Sequence, residues 1–228
     1  KQANEIIDAI PKGSDLYGES RLIKAENAFR RGDFETAGNA FEEFFSTSPK
    51  PRSPAKPDVL RYLELVFMYA QVMVESGNPL GAVKAVGYAA DVEGEYALDE
   101  PQIAYRKGKL AMDACDKAND LGKPVEPGMV NQLIEKLEEI QFKADVDYLL
   151  MINSLVEVSH GHVILGDSAA AAASGPGSNQ LKTARKRYEK ALQTLKSLSE
   201  LLAAVKGQLP PEQSPLAGAY YYYGRARK

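Results

Sequence analysis

The chain of 228 residues holds only two histidines, His160 and His162, and Glu157 stands one helical turn before the first. On a helix, residues three apart share a face, so Glu157 and His160 form a potential ligand pair or acid–base pair. His162 lies two residues on, which turns it by about 200° to another side. A metal centre needs a third or fourth ligand in good geometry. Both histidines are therefore read as packing or hairpin-tip residues, and neither a metal nor a cofactor is assigned to them.

Other chemistry finds little support. No phosphate-cradling glycine motif, serine elbow or zinc signature is present. Gly166-Asp167 followed by Gly175-Pro176-Gly177 has neither a preceding strand nor a following Gly-Lys-Ser/Thr. Carboxylate neighbours such as Asp145 with Asp147, or Glu138 with Glu139, read as solvated helix faces. The single cysteine, Cys115, excludes an internal disulfide and any multi-thiolate metal site, and reads as core. Four successive tyrosines, 220–223, point in four directions about 100° apart on a helix. At least two should be buried, leaving one or two to line a groove. No catalytic residue emerges, and the chain is read as a non-enzyme.

The bulk composition agrees with an ordinary globular chain: 44% hydrophobic and 26% charged residues. A net charge of −3 provides no basic excess for a nucleic-acid backbone, and the short basic run at Lys182, Arg185, Lys186 and Arg187 is closely followed by acids. No run of about 18 consecutive apolar residues occurs, so no transmembrane segment is expected. The first residue is Lys1 rather than Met, which suggests a trimmed or processed N-terminus from which a signal peptide or lipid anchor could have been removed. The compartment stays open between the cytoplasm and a periplasmic or exported location.

The elements that must position these residues are helices. Apolar residues recur at steps of three and four, while strand-like alternation is scarce. Breaks fall at Pro11 to Asp15, in the proline-rich connector 49–57, at Gly77-Asn78-Pro79, near 94–101, at 122–128, over 166–179 and at 207–215. About nine helical stretches result, many joined as antiparallel hairpins. Two are long. One ladder runs from Val130 through Leu137, Ile140, Ala144 and Tyr148 to Val158. The other runs from Leu181 through Tyr188, Leu195 and Leu198 to Val205, with coiled-coil-like spacing. That second stripe is read as packing on neighbouring helices. The low-complexity stretch 168–178 is read as a flexible loop.

Within residues 25–49, Gly32-Asp33-Phe34 forms a tight turn, flanked by Ala25 and Ala28 before it and by Ala37, Phe41, Phe44 and Pro49 after it. A looser unit turns at Gly77-Asn78-Pro79, with Val66, Tyr69, Ala70 and Met73 before it and Ala82, Val86 and Ala89 after. A third is read around Gly166-Asp167, between Leu155, Val158, Ser159, His162 and Leu181, Ala184, Tyr188, Ala191, if 168–180 is an insertion. Residues 219–226 look like the first helix of another unit, continuing past Lys228 or acting as a cap. This pattern, at about 34 residues, resembles the tetratricopeptide repeat. Arg21 and Lys24 depart from it, standing where that family carries large apolar residues.

The resemblance implies an all-α solenoid of antiparallel hairpins. It is expected as one domain over 1–228: a first hairpin region 1–50, a second hairpin 58–96, long helices 100–165, an inserted loop 166–180, and a long helix with a partial repeat 181–228. It also implies a protein-binding adaptor whose concave groove receives a peptide or helix of another protein. The groove positions are Glu19, Leu22, Glu26 and Phe29 in the first unit, and Glu64, Phe67, Gln71 and Val74 in the second. Chaperone-binding members of the family clamp a C-terminal carboxylate with Lys and Asn; Leu22, Glu26 and Met68 stand there in this chain, so that clamp is absent. A self-assembling scaffold, with possible homo-oligomers, is the first alternative. A small-ligand-binding helical protein is the second.

Overall fold

The computed structural model describes residues 6–48, 50–96, 100–143, 146–204 and 216–227. Among them the regular structure is helical, with no strand. The principal helices are α1 (Tyr17–Arg30), α2 (Phe34–Thr47), α3 (Lys56–Glu75), α4 (Pro79–Tyr96), α5 (Pro101–Asp120), α6 (Pro127–Ile140), α7 (Tyr148–Ala171), α8 (Asn179–Ala204) and α9 (Leu216–Ala226). The sequence features at Pro49, Ala144, Asp145, Val205 and 207–215 lie outside the described residues. The chain forms two compact units, Lys1–Leu98 and Asp99–Lys228.

Local chemistry explains the helix ends. Prolines open α4, α5 and α6 and sit in the first turn of α3, where a missing amide costs nothing. Three helices stop in the same way. Gly32, Gly77 and Gly122 have φ of 71°, 79° and 65°, and the next residue's amide bonds back five positions: Asp33 to Ala28, Asn78 to Met73 and Lys123 to Ala118. This is the Schellman arrangement, in which a left-handed residue lets the chain satisfy the helix's last carbonyls. The three turns are 45 residues apart (32 to 77, 77 to 122), a longer interval than the expected 34. The third such turn joins α5 to α6.

Two sequence expectations are corrected beyond that point. The inserted loop 166–180 is mostly helix: α7 continues through Ala171, and only residues 172–178 are irregular before α8. Gly166-Asp167 is thus mid-helix rather than a hairpin tip. Alanine is the best helix former, and the run 169–171 extends the helix at no side-chain cost. The long ladder from Val130 to Val158 is also interrupted, because α6 ends at Ile140 and α7 starts only at Tyr148. There Asp147 caps α7 by accepting the Leu150 amide at 2.7 Å.

In the first unit, α1 pairs with α2 and α3 with α4, and α2 also packs on α3. Ala25, Ala28, Ala37, Ala82 and Ala89 are fully buried, which lets the paired helices approach closely. Phe45 centres the core, with ring centroids of Tyr62, Tyr69 and Tyr88 at 5.5, 5.4 and 5.6 Å. Such pairs each add about 0.5–1.5 kcal/mol beyond the area they bury. Arg21 is buried yet satisfied: it donates to the Ile7 carbonyl at 2.5 Å, lies 3.5 Å from Glu43 and covers the Tyr17 ring.

In the second unit α7 is the hub. It packs against α5, α6, α8 and α9, and nearly every residue from Leu150 to Gly166 is buried. Among the described residues α7 alone is long and apolar enough to cross a membrane, but 78% of that stretch is buried inside the protein, as in a core helix. Neighbours reach α7 through its glycines. A Cβ at Gly161 would lie 2.6 Å from Met112 Cε, and one at Gly166 would lie 2.4 Å from the Tyr188 ring.

Candidate functional site

The sequence-derived groove residues have different surroundings. Glu19 and Leu22 line a cleft of 170 Å³ whose other walls include Phe44, Tyr62 and Leu65. The α3 residues in that cleft are Asp58, Arg61, Tyr62 and Leu65, from a different face than Glu64, Gln71 and Val74. Phe67 is 3% exposed and belongs to the core, so it is not open to a partner. Glu26, Phe29 and Val74 are half-buried, and Phe29 packs edge-on against Phe34. Glu64 and Gln71 are exposed.

A larger cleft of 590 Å³ opens in the same unit among α2, α3 and α4. Phe45, Tyr69, Met73 and Tyr88 line it, with Glu35, Glu42 and Lys84 among its charged residues. Sequence reasoning passed over it because it sought the groove on the first helix of each hairpin. The available signal was Gly38 on α2, whose missing Cβ leaves room for Met73 Cε at 2.9 Å.

The second unit holds a dense polar cluster in its core. Glu157 and His160 face together as their spacing requires, with Glu157 Oε2 3.1 Å from His160 Nδ1. From α5, Asp113 brings a carboxylate so near that one ligand atom from each of Asp113, Glu157 and His160 lies within 4.8 Å of the others. Lys109, a turn before Asp113, places its ammonium 2.9 Å from Asp113 and 3.5 Å from Glu157. Asp116 lies 3.2 Å from His160 Nε2, off the line of a hydrogen bond.

Helix α9 closes this cluster. Arg225 Nη1 donates to both Asp116 oxygens at 2.8 Å, and Nη2 donates to Asp167. Tyr188 of α8 donates to the other Asp167 oxygen at 2.6 Å. The Tyr222 ring stacks on His160, centroids 4.2 Å apart and 16° from parallel. Of the tyrosine run only Tyr222 turns inward; Tyr220, Tyr221 and Tyr223 are exposed, against the expectation of at least two buried.

Burial opposes a charge on His160, but Asp116 and Glu157 outweigh it and hold the ring's pKa above its ordinary value. Burial likewise opposes the Asp116 carboxylate, and His160 and Arg225 outweigh it to hold its pKa low. His162 sits apart. Burial, with Arg187 and Lys190 adding to it, pushes its pKa down to about 4, so this ring is neutral. Cys115 is buried and its thiol is pushed up to about 11, which suits the core role expected of it.

No family model, characterised protein or solved structure matches this chain. The structure supports the helical-hairpin architecture, packed in neighbouring pairs, by itself.

Proposed function

We propose that the chain is a non-catalytic binding module, an adaptor that holds a segment of another protein on its first unit. The observation that supports this reading is the 590 Å³ cleft, whose floor is core (Phe45, Tyr69, Met73), whose walls carry the half-buried Phe34 and Tyr88, and whose rim is polar. Phe34 and Tyr88 offer apolar contact within a polar rim, as the anchor points of peptide-binding surfaces do. Glu35 and Glu42 at that cleft favour a partner segment with apolar anchors and a basic flank. In a tetratricopeptide-like array the partner would instead follow the first helices, along Glu19, Leu22, Glu26 and Phe29 and then Glu64, Gln71 and Val74.

Two charge-reversal pairs separate these surfaces. Proteins captured by the purified chain from its source lysate, then titrated as purified species, should lose affinity with Glu35→Lys/Glu42→Lys. Loss with Glu26→Lys/Glu64→Lys instead would assign the groove on the first helices. Equal binding by both variants would sink the adaptor reading.

Self-assembly has one observation in its favour. A cleft of 620 Å³ between α8 and α9, lined by Leu192, Leu195, Leu202 and Tyr223, leaves part of the α8 stripe open. A mass that rises with concentration in light scattering, and falls with Leu202→Glu, would favour the scaffold.

A further inference from the structure

We propose that Asp113, Glu157 and His160 form a binding site for one divalent transition-metal ion in the core of the second unit. The donor set is one imidazole and two carboxylates, with a ligand atom from each lying within 4.8 Å of the others. One nitrogen and two carboxylate oxygens suit ions from manganese to zinc better than soft, thiolate-seeking ions. Glu157 and His160 stand in the Glu-x-x-His spacing that projects both ligands from one helix face into a bundle core.

The surroundings are those a metal-bound histidine needs. A ligating imidazole characteristically directs its second nitrogen at a carboxylate, which fixes ring orientation and tautomer. Here Nδ1 faces Glu157, and Nε2 faces Asp116 at 3.2 Å. Asp116 is itself anchored by Arg225. The ring is 1% exposed and pressed flat by Tyr222.

Charge points the same way. Four carboxylates, Asp113, Asp116, Glu157 and Asp167, meet two permanent cations, Lys109 and Arg225. With a neutral histidine two negative charges remain while Lys109 is in place, and three once it swings away, an excess that a divalent ion largely offsets. Lys109 reaches between Asp113 and Glu157, and its side chain is 42% exposed. It can swing outward as the ion enters, acting as the competing cation.

The test is calorimetric titration of the chelator-stripped, full chain with zinc chloride alone, and a cobalt(II) visible spectrum as the second readout. One saturable equivalent is expected, with imidazole-dependent cobalt bands. His160→Gln and Glu157→Gln should abolish both, while Asp116→Asn should weaken binding about 10- to 100-fold, the range for residues that orient a ligand. Lys109→Met should bind more tightly, which gives a gain-of-affinity readout immune to misfolding. The proposal is overturned if neither the native chain nor Lys109→Met binds, or if folded His160→Gln binds as the native chain does.

Discussion

Arg225 spans 109 positions of sequence to place one nitrogen 2.8 Å from each oxygen of Asp116. With a second nitrogen on Asp167, this side chain fastens α9 to both α5 and α7. Both side chains of the Arg225–Asp116 pair are more than four-fifths buried. Removing one partner would strand a charge in a medium that solvates it poorly.

Arg225→Leu should therefore destabilise the second unit by about 3 kcal/mol, the cost of leaving a buried ion unpaired. Asp116→Asn with Arg225→Leu should cost less than the sum of the two. A double-mutant cycle by urea denaturation checks this, and simple additivity would show that the pair is not coupled.

Gly166→Ala should cost about 1–3 kcal/mol through overpacking. Its Cβ would fall 2.4 Å from the Tyr188 ring, forcing the phenol off its 2.6 Å bond to Asp167. The same change in a Tyr188→Ala background should cost little. Thermal melts of the four proteins decide it, and an equal cost in both backgrounds would rule out this clash.

Asn78→Ala should lower the stability of the first unit by about 1 kcal/mol, a typical value for a lost cap. Asn78 Oδ1 accepts the Gly81 amide at 3.0 Å at the start of α4. Gly77→Ala should add a comparable loss of about 1 kcal/mol, because φ is +79° there and a Cβ resists that conformation. Denaturant midpoints measure both, and an unchanged midpoint for either would contradict the local argument.

Burial, with Glu42 and Tyr88 adding to it, raises the Tyr69 hydroxyl from 10.0 to about 12. The folded value lies above the unfolded one, so the stabilisation is complete below pH 10 and disappears as pH rises toward 12. Tyr69→Phe should flatten the alkaline decline in stability across that window. Phenolate absorbance read alongside denaturation checks it, and a decline identical in Tyr69→Phe would assign the loss to other groups.

What can be read from the sequence alone is what neighbours along the chain decide. The all-helical character follows from apolar steps of three and four, and the turns at Gly32 and Gly77 follow from a left-handed residue ahead of a capping side chain. The shared face of Glu157 and His160 also follows, since helix geometry sets it without help from other elements. The same local rules misled at 166–180, where glycine and low complexity look like a loop. Tyr188 fills the space beside Gly166, and Ser168 bonds to Asn119 at 2.8 Å, so the helix continues. Only the tertiary structure could bring Asp113, 44 positions from Glu157, beside it, because that distance depends on how α5 lies against α7. It likewise put Phe67 in the core and opened the aromatic cleft among α2, α3 and α4. Helix periodicity states which residues share a face; packing between helices decides what each face meets.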